Sequence, residues 1–138
     1  RLRCDWSSDV CSSDLSSDKS EHLIGYFTKF GDGAADLTPI ISLYKLQIRE
    51  IAKYLGVPDN IISKKSSPHL WEDHEAEEEL GVSYEEIDSI LYCLVEKKLS
   101  VDETVKITQI DKSTIEKIHE LNRNSEHKRL PAQKPDRE

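Results

Sequence analysis

Three times in the second half of the chain a serine stands three residues ahead of a glutamate at the head of an apolar stripe. The pairs are Ser83 with Glu86, Ser100 with Glu103 and Ser113 with Glu116. In such a pair each side chain accepts from the other residue's backbone N–H, which satisfies donors that a helix start leaves open. The stripes that follow are Ile87, Ile90, Leu91 and Leu94, then Val105 to Ile110, then Ile115, Ile118 and Leu121. Their period is helical, and three short amphipathic helices in succession have to bury their faces against one another. Upstream, Tyr44, Ile48, Ile51, Ala52 and Leu55 recur at the same spacing, with Gly56 and Pro58 as stop signals. Glu21 to Phe30 is apolar enough to sit against a core and runs into a tight turn at Gly31-Asp32-Gly33, with a second breaker from Asp36 to Pro39. Ile62 to Glu79 reads as a long acidic connection, and Arg123 to Glu138 as a polar tail.

A chain of 138 residues suits one domain at most. Its formal net charge of −8 argues against nonspecific nucleic-acid binding, which needs a basic footprint. No apolar run approaches the roughly 18 residues of a membrane helix, so no membrane partner is expected. The chain contains no Met and begins at Arg1, so an internal piece of a longer protein is expected. Residues 1–15 stand apart. Asp5 to Leu15 reads DWSSDVCSSDL, and SSD returns at Ser16-Ser17-Asp18 without helical or strand periodicity. The string resembles the conceptual translation of a common short-read sequencing adapter, and this segment is expected to be disordered and foreign to the fold. Residues 16–131 then form the functional part and 132–138 a polar tail. Cys4 and Cys11 fall inside the suspect segment, which leaves Cys93 as a buried structural thiol. Without a disulfide framework, a reducing cytoplasm fits best.

Several groups of residues could carry chemistry. Lys19, Ser20 and Glu21, followed by Lys29, Asp32, Asp36 and Lys45, gather three ammonium and four carboxylate or hydroxyl groups around two turns. Lysines and turn N–H groups suit phosphate, and a nearby carboxylate suits Mg²⁺ shared with it; a solvated mixed-charge surface has the same composition. His69 and His74 lack the i, i+4 spacing of a helical zinc pair and have no cysteine nearby, so a solvated acidic loop is expected there. His127-Lys128-Arg129 follows a helix expected to end between Asn122 and Asn124. It serves either as a complement to a helix dipole or as a site for an anion, and spacing does not choose.

Resemblance adds to these readings. Ser17-Asp18-Lys19-Ser20-Glu21, followed by Gly25-Tyr26-Phe27-Thr28-Lys29-Phe30-Gly31-Asp32-Gly33-Ala34-Ala35-Asp36, resembles the central signature of ammonia-dependent NAD synthetases, roughly GTSNKSE then GYFTKYGDGAAD. The likeness continues in order through Pro39, Leu43-Tyr44-Lys45, Tyr54 to Pro58, Leu70-Trp71 and Glu78 to Tyr84, and closes at Glu126-His127-Lys128-Arg129. The resemblance implies an enzyme that joins ammonia to the nicotinic carboxylate of deamido-NAD. ATP first adenylates that carboxylate, releasing pyrophosphate, and ammonia then displaces AMP. By that resemblance Glu21 binds Mg²⁺, Ser16, Lys45 and Ser67 contact ATP, and Lys29, Asp36, His127 and Lys128 bind deamido-NAD. No side chain here is expected to be a covalent nucleophile; the work is positioning and charge stabilisation.

The fold so implied is α/β. The chain would be the mostly helical C-terminal part of a doubly wound Rossmann-like domain of the adenine-nucleotide α-hydrolase type, usually a homodimer, with surface exposed where strands would cover it. There are departures. The family's SGGxDS-type nucleotide loop and its second Mg²⁺ carboxylate are not found in these residues, and Leu15 stands where the family has Gly. Asp18 replaces the usual Asn, and Ser67 is followed by Pro68-His69 rather than small residues. The chain alone is therefore expected not to make NAD. The alternative function is a non-catalytic acidic helical module for nucleotide binding or interaction.

Overall fold

A computed structural model describes residues 17–31, 33, 37–67 and 76–131. The described residues form helices and no strand. In chain order they are α1 (Lys19–Ile24), α2 (Lys45–Tyr54), α3 (Asp59–Ile62), α4 (Ala76–Leu80), α5 (Tyr84–Leu91), α6 (Val101–Thr108), α7 (Lys112–Asn124) and α8 (Glu126–Arg129), with a π-helical turn at Tyr92–Glu96 continuing α5.

The first two capping boxes form as the sequence predicts. Ser83 N–H donates to Glu86 Oε2 at 3.2 Å and Ser100 N–H to Glu103 Oε2 at 2.8 Å, and each serine oxygen accepts from the glutamate N–H in return. The third pair does not cap. Helix α7 starts earlier, on Asp111, whose Oδ2 accepts from Ser113 N–H at 2.9 Å. The carboxylate stands two residues ahead of the serine and takes the cap first. Three further elements differ from the sequence reading. A turn of helix, α3, follows Pro58; α4 lies within the acidic connection; and α8 lies within the segment expected to be tail.

Helix α5 is the centre. Tyr84, Ile87, Ile90 and Leu91 are wholly buried, and α1, α2, α6 and α7 pack around them, with Ile115 and Ile118 of α7 equally buried. The Cys93 thiol is free and buried, as expected, although it sits in the π-helical turn rather than on a regular helix face. Helix α1 ends at Gly25, whose φ of +74° belongs to the left-handed region. Space also demands glycine there, because a Cβ would lie 2.1 Å from Ser125 Cβ. The α2 stripe forms a helix, but only its first member, the N-cap Tyr44, is buried; neither α2 nor α3 itself has a buried residue. Phe30, placed by the sequence reading in a core-facing segment, is 85% exposed.

Candidate functional site

The first turn of α1 and the first turn of α2 meet over α5, and their polar side chains converge. Asp18 caps α1, its Oδ1 accepting from Glu21 N–H at 2.9 Å. That cap turns the Glu21 carboxylate toward Lys45, the first residue of α2, whose Nζ donates to Glu21 Oε1 at 2.8 Å. The same ammonium lies 2.5 Å from Asp18 Oδ2, a buried oxygen that finds no hydrogen-bond partner of proper geometry. Tyr84 closes the group: its ring centroid is 4.9 Å from Lys45 Nζ and its hydroxyl donates to Glu21 Oε1 at 3.4 Å.

Electrostatics follow from this crowding. Burial raises the Glu21 pKa and the Asp18 charge raises it further, against the pull of Lys45. For Lys45 burial works against the charge, but Glu21 and Asp18 outweigh it and hold the ammonium above its ordinary value. Burial, then the charges of Glu21 and Asp18, keeps Tyr84 a neutral phenol. Two carboxylates therefore share one cation at a spot built for positive charge.

A second layer holds the first. The Ser20 hydroxyl donates to Asp88 Oδ1 and accepts from Lys45 N–H at 2.9 Å, while Asp88 Oδ2 accepts from Leu46 N–H at 2.9 Å. Ser20 is wholly buried and Asp88 nearly so. These two N–H groups are orphan donors of the α2 start, where Tyr44 supplies no side-chain cap.

The other end of α1 meets α8. Arg129 Nη1 donates to Leu23 O at 2.8 Å and to Ser125 Oγ at 2.7 Å, and its Nη2 to Asn122 O at 2.7 Å. Lys128 Nζ donates to Gly25 O at 2.7 Å and Phe27 O at 3.1 Å. Lys29 Nζ donates to His127 O at 2.7 Å, and a 470 Å³ cavity opens beside them, lined also by Arg123, Asn124 and Glu126. The basic run thus complements the C-terminal end of α7, which precedes it, through Asn122 O, and that of α1 as well.

The candidate residues therefore divide. Glu21 and Lys45 meet at one end of α1, and Lys29, His127 and Lys128 meet at the other. Ser67 adjoins Ser66, whose side chain bonds the Tyr84 hydroxyl and whose carbonyl accepts from Ala76 N–H at 3.0 Å. Ser16 and Asp36 lie outside the described residues, as do Asp32, His69 and His74. Sequence reasoning placed Ser20 among the chemistry-bearing residues without its partner, and did not single out Asp18, Tyr84 or Asp88 as site-building. The one signal for Asp88 was a carboxylate inside an apolar stripe, next to Ile87 and three residues before Leu91.

Magnesium asks for oxygen donors, and one or two carboxylates suffice when phosphates complete its shell. Glu21 Oε1 and Asp18 Oδ2 both face the Lys45 ammonium, a point that already holds a cation between two carboxylate oxygens, so the donor chemistry of these residues fits that metal. Among the described residues no cluster of three metal-ligating side chains occurs. None of their helices is long and apolar enough to cross a membrane.

Comparison with known proteins points to one family. The family described as NAD synthase matches residues 13–132. The NH(3)-dependent NAD(+) synthetase of Staphylothermus marinus is 52% identical over 113 residues, which cover 82% of this chain and 41% of that protein. The enzyme of the same name from Hyperthermus butylicus is 54% identical over 119 residues, 86% of this chain and 43% of that one. The chain thus spans about two fifths of the length of these curated relatives. Among solved structures, NMN synthetase from Francisella tularensis superposes with a TM-score of 0.70 at 38% identity, covering 87% of this chain and 44% of that one.

Proposed function

The chain belongs to the NAD synthase family, and we propose that it carries one side of an active site that amidates deamido-NAD with ammonia at the expense of ATP. In this reading Glu21 holds Mg²⁺, while Lys45, with Ser16 and Ser67, contacts the triphosphate. Lys29, Asp36, His127 and Lys128 bind deamido-NAD, and the whole protein works as a cytoplasmic homodimer. Bound Mg²⁺ would offset triphosphate charge as the adenylate forms.

What this chain's own residues contribute is orientation and charge. Lys45 presents an ammonium with one backbone anchor and two carboxylate anchors, so it is placed before any phosphate arrives. Tyr84, kept neutral, donates to Glu21 and limits the directions its carboxylate can turn. Lys29 and His127 border a cavity large enough for part of a dinucleotide. Lys128, bonded to Gly25 and Phe27, orders the segment that leads to Lys29.

The observation that carries the reading is the Glu21–Lys45 pair at 2.8 Å, because it joins a metal-type carboxylate to a phosphate-type cation at one point. The chain by itself lacks the SGGxDS loop and its carboxylate, so it should form no measurable NAD. Joining residues 16–138 behind the part of the Staphylothermus marinus relative that they do not cover should restore NAD formation from deamido-NAD, ATP, Mg²⁺ and ammonium. Glu21→Ala in that chimera should lower the rate by a factor on the order of 10³. Nicotinate mononucleotide, assayed alongside, should be the poorer substrate, since relatives at about 50% identity are NAD synthetases and the NMN synthetase stands at 38%. Equal activity with and without Glu21 would sink the assignment, and nucleotide binding without turnover would favour the non-catalytic module.

A further inference from the structure

At the start of helix α2 Gln47 Oε1 accepts from Tyr44 N–H at 3.0 Å, but Tyr44 offers no side-chain cap to the N–H groups that follow. The first two N–H groups of the helix, of Lys45 and Leu46, are satisfied from elsewhere in the fold, by Ser20 of α1 and Asp88 of α5. The buried Asp88 carboxylate spends one oxygen on Leu46 N–H and the other on the Ser20 hydroxyl, which in turn accepts from Lys45 N–H. No side chain within α2 is buried; the apolar hold at its start is the ring of its N-cap, Tyr44, which lies in the core but leaves the first N–H groups of the helix to polar partners. This polar chain sets where Lys45 starts, and Lys45's start sets whether its ammonium reaches Glu21 and Asp18.

We propose that Asp88 is a positioning residue for the ATP half-site: acting through Ser20 and the Leu46 amide, it fixes the first turn of α2 so that Lys45 stands against Glu21. The proposal rests on the synthetase reading for what the pair is used for, but not for the geometry itself. The role is one of hydrogen-bond acceptance and shape. Asparagine can fill it, because its amide oxygen accepts from Leu46 and its amide NH₂ donates to Ser20, whose oxygen keeps a second lone pair for Lys45. Alanine cannot.

Amide hydrogen exchange on the 138-residue chain tests this without substrate. Asp88→Ala should speed exchange at both Lys45 and Leu46 by about tenfold, while the Ile115 and Ile118 amides in α7 change by less than about twofold. Ser20→Ala should free Lys45 alone and leave Leu46 protected. Asp88→Asn should keep both within about threefold of the parent and keep a slowly exchanging Lys45 ammonium resonance that Asp88→Ala loses. Should Asp88→Ala not fold, the Ser20→Ala pattern and the Asn rescue decide alone. Protection at both amides that survives Ser20→Ala, or exchange in α7 that rises in step with Lys45, would overturn the proposal. In an active chimera Asp88→Ala should raise the KM for Mg·ATP about tenfold with the KM for deamido-NAD within about twofold, a split that general destabilisation does not produce. A dead chimera would count against the synthetase reading, and the exchange pattern would still judge Asp88.

Discussion

Helices α5 and α7 and the arm formed by α2 and α3 are built from similar sequence and held by different forces. Ile87, Ile90, Leu91, Ile115 and Ile118 are all fully buried between α5, α7 and their neighbours, whereas the arm leaves Tyr54 90%, Leu55 70% and Ile61 59% exposed. Both regions carry an apolar stripe at helical spacing. Only one buries that stripe along its length; in the arm's stripe Tyr44 alone, at the start of α2, is buried. The arm is fastened at its near end by polar bonds from Ser20 and Asp88, with an Arg49–Glu85 ion pair at 2.9 Å farther along. Exposed pairs of that kind contribute little. Hydrophobic burial secures the first region along its length, while the second is held at its near end only, by directional hydrogen bonds and the one buried ring of Tyr44, so the two should respond differently to the same kind of damage.

The sharpest way to break this contrast is a pair of truncations. Ile118→Ala should cost about 4 kcal/mol and Ile61→Ala no more than about 0.5 kcal/mol, read from urea unfolding followed by circular dichroism. Equal costs would mean that the arm is packed as tightly as the centre. Next in size, Gly25→Ala should cost about 3 kcal/mol, since it combines a left-handed backbone with a collision against Ser125. A variant as stable as the parent would show that the α1–α7 approach is looser than its geometry.

Arg129→Ala should cost about 2 kcal/mol in the same assay, because it strips donors from carbonyls at the end of α1 and in α7. It should leave the arm's amides unchanged, and a change there would couple the two regions. The smallest effect is one of pH. Burial, then the Arg129 charge, lowers the His22 pKa below its ordinary 6.5. The unfolded chain therefore binds the His22 proton first as pH falls, and stability should decline from about pH 6.5 down to the lowered folded value. Replacing His22 with Gln should flatten that limb of the melting curve, and an NMR titration of the ring that shows no lowering would remove the effect.

Most helices were legible because periodicity and capping are local signals. Ser83 and Ser100 stand at their helix starts with the expected glutamates. Ser113 does not, since an aspartate two residues earlier is the stronger acceptor and the motif alone does not weigh competitors. The α2 stripe announced a helix and the side that would be buried, but periodicity says nothing about whether a partner surface exists. The site divides in the same way. Glu21 and Lys45 were legible by resemblance. Their supports were not, because Ser20 and Asp88 stand 68 residues apart and only the fold brings them together. That the basic run serves α1 as well as α7 was likewise hidden, since Arg129 reaches Leu23 across 106 residues.

That last bond fixes an order of assembly. A chain made from its N-terminus can wind the six residues of α1 early, yet the carbonyls at its end wait for Asn122, Lys128 and Arg129. A helix this short does not persist alone in water. While translation proceeds, the stretch that holds Glu21 is therefore an unfinished segment, open to chaperones and proteases until nearly the last described helix has left the ribosome. The first of the described helices is in this sense among the last to be completed, and a stop codon before residue 128 would damage the site from far downstream in the gene.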